Sequence, residues 1–386
     1  MQLTQAGSAF VGFLFERKIM SRKLALIALV LVSVYSASAM AVDFSPVVSV
    51  NGFGTVGAVH SNLDLADYSN SAFQPDGAGF NHKWSPEVDS LFGLQLAGSY
   101  RKWKVVVQGV TKQNPDDNWG PIIEWANVRY SFNDHFSAKV GRFAMPTYMG
   151  SDTRLVHYAN TAVRPSTELY RLLPVTTTDG IDLSYGFSTG PIKHTTRVVW
   201  GRNRTAFANN AHGRNKGIWA IVNDMEYGDF TVHAAYQIRQ LHLVQSPTVT
   251  FKTQPFRIAD LGINYDNGKW VILVEAARTW LRPELSPSSL AYMVNTGLRF
   301  GKFTPYVQYG KLDPVDDVLN SGTRSPASNT KTAGVRWDFY RNLALKAQYD
   351  HAQAQNGSRG GFIHAQPGYP VDGSADMVSV VVDFVF

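Results

Sequence analysis

Phe230-Thr231-Val232-His233-Ala234-Ala235-Tyr236-Gln237-Ile238-Arg239 follows the dipeptide Gly228-Asp229. Phe230, Val232, Ala234, Tyr236 and Ile238 fall at every second position, and Thr231, His233, Gln237 and Arg239 stand between them. A period of two belongs to a β-strand with one apolar and one polar face. Gly-Asp suits a two-residue hairpin connection. The pattern recurs along the chain. Phe92, Leu94, Leu96 and Tyr100 oppose Asp89, Gln95 and Ser99 in the segment 89–100. Ile181, Leu183, Tyr185 and Phe187 oppose Asp182 and Ser184, and Val335, Trp337 and Phe339 oppose Arg336 and Asp338. Many of these segments end in an aromatic residue beside a turn.

The reading predicts about sixteen strands, starting near residues 48, 88, 103, 122, 136, 178, 192, 217, 230, 256, 270, 290, 303, 330, 343 and 376. Their connections alternate. Tight turns occur at 101–102, 133–134, 188–191, 228–229, 266–269, 301–302 and 341–342. Between them lie longer stretches at 61–87, 112–121, 144–177, 201–216, 241–255, 281–289, 311–329 and 352–375. An up-and-down meander puts all the tight turns at one end and all the long loops at the other. This asymmetry fits an all-β fold, a transmembrane antiparallel barrel with short periplasmic turns and long external loops. In lipid such a sheet must close, because an open edge leaves backbone groups unpaired. Apolar faces then meet lipid, polar faces meet water, and the terminal aromatics form interfacial girdles.

Composition agrees. The 386 residues are 44% hydrophobic but only 17% charged, below the roughly 25% of a soluble domain. The absence of cysteine excludes disulfides, thiolate metal sites and a cysteine nucleophile. Arg22 and Lys23, the apolar run 24–34 and the small residues Ala37-Ser38-Ala39-Met40-Ala41 read as a signal peptide, 1–41, with 1–19 expected to precede a true start at Met20. Removing it leaves 32 basic and 29 acidic residues, net +3 instead of +6, so nucleic-acid binding loses its support. A single barrel domain, 42–386, follows.

Two ends of the mature chain carry a resemblance. The last expected strand, Met377–Phe386, ends Val380-Val381-Val382-Asp383-Phe384-Val385-Phe386 and places Val378, Val380, Val382, Phe384 and Phe386 on one face. The mature start, 42–54, and the segment Ser137-Ala138-Lys139-Val140-Gly141-Arg142-Phe143-Ala144-Met145-Pro146 complete the pattern. It resembles the Gram-negative, proteobacterial outer-membrane porins. The resemblance implies an outer-membrane location among lipid and lipopolysaccharide, a water-filled channel for small hydrophilic solutes and ions, and assembly by the barrel-assembly machinery through the terminal Phe386. It also implies that the third external loop, 144–177, folds inward and narrows the pore. A homotrimer is expected from the resemblance and from the small residues of the first strand, Gly52, Gly54, Gly57 and Ala58.

The expected constriction is formed by Asp152, Arg154, Arg164, Glu168 and Arg171 of that loop with Arg129, Lys139, Arg142 and Arg197 of the wall. Arg142 is out of phase with the inward set Ser137, Lys139 and Gly141, and its place here depends on a turn where the strand enters the loop. The basic excess favours anions weakly, and the inward acids Asp224, Glu226 and Glu275 oppose it. Other inward polar residues include Lys104, Gln108, Lys193, Arg239, Arg299, Arg336, Lys346 and Asp350. An enzyme is not indicated. None of the 10 histidines sits in a short metal-ligand motif, no G-x-S-x-G elbow occurs, and the glycine pattern 52–57 lacks a βαβ unit. No cofactor or metal is implied. The alternatives are a substrate-selective channel, a barrel hydrolase and a plugged structural barrel.

Overall fold

The computed structural model describes residues 47–71, 74–173, 175–206, 212–246, 249–250, 253–282, 287–316, 318 and 324–386. The expected signal segment, 1–41, lies outside the described residues. Everything that follows concerns the unit Asp43–Val385.

Sixteen long strands form one antiparallel sheet among the described residues. They are β1 (Val48–Ser61), β2 (Leu91–Tyr100), β3 (Trp103–Lys112), β4 (Ile122–Ser131), β5 (Phe136–Ala144), β6 (Thr177–Thr189), β7 (Ile192–Ala206) and β8 (His212–Tyr227). The second half comprises β9 (Phe230–Ser246), β10 (Gln254–Asp266), β11 (Trp270–Trp280), β12 (Ser289–Leu298), β13 (Phe303–Pro314), β14 (Ser328–Tyr340), β15 (Leu343–Ala354) and β16 (Ser374–Val385). Each strand pairs with its neighbours in sequence. β1 closes the sheet, with Val48–Thr55 facing β2 and Phe53–Ser61 facing β16. No helix of the described residues is long and apolar enough to cross a membrane.

The tight turns share one end. Gly228 and Gly268 adopt φ of 55° and 82°, where a Cβ would be strained. At Asn133 the side chain does the turning: its Oδ1 accepts the backbone N–H of His135 at 2.9 Å and of Phe136 at 2.7 Å. Aromatic rings line this rim in contact. Trp103 and Tyr130 are 4.6 Å apart, Tyr130 and Phe132 4.8 Å, and Phe132 and Phe136 5.0 Å. The outer wall above them is apolar and exposed, with Leu94, Leu96, Val140, Ile221 and Leu261 all open. An apolar outer face around a closed sheet matches a hydrocarbon surround.

Three details differ from the sequence reading. β2 begins at Leu91, so Asp89 belongs to the preceding loop, where it is buried rather than on a strand face. The connection expected over 201–216 is mostly strand: β7 runs to Ala206 and β8 resumes at His212. Polar residues on both faces hid that extension, since Arg202-Asn203-Arg204 alternates without an apolar member. Finally, Gly54 and Gly57 of β1 make room within the chain. A Cβ at Gly54 would strike the Phe384 ring, and one at Gly57 would strike Val381. The small residues of β1 are thus used by the seam of its own barrel.

Candidate functional site

The longest connection, 145–176, packs against inward-facing side chains over much of the barrel. Tyr148, Leu169, Tyr170, Leu173 and Val175 cluster with Phe256 and Ile258 of β10, Ala277 of β11, and Ala291 and Met293 of β12. Leu155 and Val156 lie on Phe53, Leu91 and Val110 of β1 to β3. Such a loop has too much apolar surface to stand free in water.

Polar anchors fix its position. Glu275 of β11, fully buried, accepts the backbone N–H of Met149 at 2.6 Å and the hydroxyl of Tyr170 at 3.3 Å. Lys346 of β15, also fully buried, donates to the carbonyls of His157, Asn160 and Ala162 at 2.8, 2.7 and 3.0 Å and pairs with Asp383 at 2.8 Å. Arg336 of β14 donates to the carbonyls of Tyr158 and Asn160 at 2.6 and 3.0 Å. The Thr55 hydroxyl donates to Asp383 at 2.6 Å and stands 3.1 Å from Nδ1 of His157. The loop carbonyls of His157, Tyr158, Asn160 and Ala162, taken from water, thus regain charged donors.

Arg164 is the most heavily held of the expected site residues. Its guanidinium meets Asp89 at two points, 2.9 and 2.5 Å, and reaches Asp350 at 2.7 Å and Ser379 at 2.6 Å. Burial alone would raise the Asp89 carboxyl, but Arg164 outweighs it and holds the group below the usual carboxylate range. Burial would lower the Arg164 guanidinium, and Asp89, with Tyr68 and Asp350, keeps it well above its ordinary value. Glu168 accepts from Thr330 at 2.5 Å and from Ser166 at 3.0 Å. Arg171 donates to the Gly361 carbonyl at 2.5 Å and to Ser69 at 2.8 Å. Arg154 reaches the carbonyls of Leu173 and Tyr170, at 3.4 Å each, over the Tyr170 ring. These four residues tie the loop to itself, to the wall and to neighbouring loops.

The remaining residues meet in open space. A cavity of about 390 Å³ is lined by Arg129, Lys139, Asp152 and Arg197 together with Asp182, Asp224 and Glu226, with Ser137, Ser184, Thr195, Thr231 and Met149 between them. Register explains the grouping. Lys104, Arg129, Lys139 and Asp182 stand side by side across β3 to β6. Asp182 takes Lys139 at 3.1 Å and Arg197 at 2.6 Å, and Asp152 of the loop faces Arg197 from 3.6 Å. The structure therefore brings four of the nine expected residues together and adds three acids. Asp224 and Glu226 stand in the sequence as inward residues. Asp182 stands there too, on the polar face of its strand, but nothing in the sequence says that it bridges two cations.

Arg142 is elsewhere. It shares its strand face with exposed Val140, and Asp179 shares one with Ile181. The two form a two-point pair at 2.7 and 3.0 Å on this outward face, so the turn toward the lumen does not occur.

The chain matches no family model and no curated protein. Solved structures do match. An anion-selective porin from Comamonas acidovorans aligns with a TM-score of 0.57 at 14% identity, over 88% of this chain and 99% of that one. OmpF of Salmonella typhi, in complex with daunomycin, gives 0.59 at 13% over 88% and 97%. The outer-membrane channel DcaP of Acinetobacter baumannii gives 0.57 at 10% over 88% and 97%. The chain has the fold of these outer-membrane barrels.

Proposed function

We propose that the chain is an outer-membrane porin of a Gram-negative bacterium, a water-filled channel through which small hydrophilic solutes and ions diffuse passively. One observation carries this reading: inside an outwardly apolar barrel, a charged cavity lies between a firmly anchored loop and the facing wall. A lumen meant only for packing would be filled with apolar side chains, and an apolar passage would dewet. Asp152 on the loop and Arg129, Lys139 and Arg197 on the wall form the narrow point, with Asp182, Asp224 and Glu226 beside them. Arg154, Arg164, Glu168 and Arg171 act as the loop's moorings, and the passage is set by where they hold it.

The partners follow from the location. Lipid and lipopolysaccharide surround the wall, the terminal Phe386 serves the barrel-assembly machinery, and three copies associate, in keeping with the trimer form of one solved structure of similar fold, OmpT of Vibrio cholerae. The test is conductance of the purified protein in a planar bilayer. Stable ohmic steps that scale with bulk salt are expected. A silent bilayer with folded protein refutes a channel, and conductance that saturates with one solute would instead mark a substrate-selective one.

A further inference from the structure

His233 of β9 is 3% exposed and shares its strand face with Gln237 and Arg239. Its ring meets a hydrogen-bond acceptor at each nitrogen. Nδ1 stands 2.7 Å from Oδ1 of Asp224, the residue directly opposite on β8. Nε2 stands 3.2 Å from the carbonyl oxygen of Thr147, at the root of the inward loop, and 3.8 Å from Oδ1 of Asp260 on β10. A neutral imidazole has one N–H and can donate to only one of two acceptors. Neither a carbonyl nor a carboxylate has a hydrogen to give back. Both contacts are therefore made only when the ring and Asp224 together hold one proton more than a neutral ring and a carboxylate would.

Where that proton rests does not alter the charge. Imidazolium beside carboxylate and imidazole beside carboxylic acid both sum to zero. Loss of the proton leaves one negative charge, and it falls on the wall of the passage, because Asp224 lines the cavity beside Arg197 and Glu226. With the pair neutral, the three cations of the cavity face three remaining acids, Asp152, Asp182 and Glu226. With the proton gone, the acids are in excess by one.

The neighbours hold the ring in this position. The Thr147 hydroxyl donates to Oε1 of Gln237 at 2.8 Å, so the loop root is tied to β9 through its side chain by Gln237 and through its backbone by His233. Glu275 of β11 stands opposite Gly262, which in turn pairs with His233, and its carboxylate is taken by Met149 and Tyr170. The charged groups around the ring are thus Asp224 and Glu226 on β8, Asp260 on β10 and Glu275 on β11, with Arg197 of β7 and Asp152 of the loop on the cavity side. Among all of these, an imidazole is the group whose ordinary titration lies near neutral pH.

We propose that His233 determines the charge selectivity of the channel: by holding a proton against Asp224 it cancels one wall charge, and release of that proton as the pH rises turns a balanced passage toward cations. This rests on the porin reading above and adds a control of its charge. His233 acts through Asp224, as a positioning residue. The test is the zero-current potential of the full protein in a planar bilayer under a dilute potassium chloride gradient, from about pH 5 to about pH 9. In wild type the cation-to-anion permeability ratio should rise roughly twofold across the titration, and the rise should fade toward about 1 M salt. His233→Gln should show the high-pH ratio at every pH, since Asp224 stays charged. His233→Gln combined with Asp224→Asn should return to the low-pH ratio of wild type and stay flat, which a purely structural role of the ring would not produce. A flat wild-type curve, a shift toward anions, or the wild-type curve unchanged in His233→Gln overturns the proposal; His233→Asn serves if the glutamine variant does not fold. Nitrogen NMR of the histidine rings in detergent micelles reads the same proton without any current. A His233 signal that stays constant over this range overturns the proposal even in a silent bilayer, whereas a silent bilayer with a titrating ring overturns the channel alone.

Discussion

At the scale of single residues, buried charge fixes the loop in place. Arg164 is 3% exposed and satisfied by two carboxylates and a hydroxyl. Removing one member of such a set strands the others. Arg164→Ala is expected to weaken the docked loop by about 3–5 kcal/mol, seen as open-channel current noise in single-channel records and as faster proteolysis within 145–176. Quiet records would show that the apolar cluster holds the loop unaided. His157 adds a pH dependence. Burial lowers its pKa from the ordinary 6.5, although Asp383 and Asp89 pull the other way, so the docked loop holds a neutral ring. A released ring takes a proton at the ordinary value. Below about pH 6.5, therefore, proton uptake favours release, and the loss continues until the docked ring itself protonates. Current noise should rise on acidification in that window and not in His157→Gln. An identical pH profile in the variant would assign the effect to other groups, such as Asp89, whose own window lies below 3.8.

At the scale of elements, strands were legible wherever one face was apolar. The start of β1, β3, β4, β5, β7, β9, β11, β13 and β15 coincides with the sequence reading, and in β3, β5, β7, β9, β11, β13 and β15 an aromatic or aliphatic residue opens the strand beside a short turn. The reading failed at the outer ends, where both faces are polar and hydrophobic alternation says nothing. The upper part of β7 and β8 therefore carries no strand signal in the sequence. The site was legible by halves for a related reason. Alternation shows that Lys139 or Arg197 points inward, but loop residues have no period, so Arg164 and Arg171 could not be told apart from pore-lining cations. Asp383, an acid set between Val382 and Phe384 in the apolar end of β16, is a further signal: such a group needs a buried partner, and Lys346 is it. The end assignment itself can be checked. Cysteine at Asp116, in an exposed long connection, should react with a membrane-impermeant maleimide on intact cells, and cysteine at Lys269, in an exposed tight turn, should not. The opposite labelling would invert the barrel.

At the scale of the whole molecule, where charge sits matters more than how much there is. The chain without its expected signal is net +3, yet its surplus does not collect in the passage. The cavity has three cationic and four acidic side chains, a formal −1, and Asp182 is shared between two of the cations. The anion preference expected from the loop's arginines loses its basis, since Arg164 and Arg171 are spent as moorings and Arg142 faces outward. A nearly balanced passage should discriminate weakly, and each sign should be separately removable. Arg197→Ala is expected to move the zero-current potential toward cation selectivity and Glu226→Gln toward anion selectivity, by comparable amounts at low salt. Both shifts should fade toward 1 M, where the Debye length is about 3 Å. The combined variant should lie near wild type if the two act only through the local potential. Shifts of the same sign, or shifts that persist at high salt, would mean that these side chains reshape the passage rather than charge it.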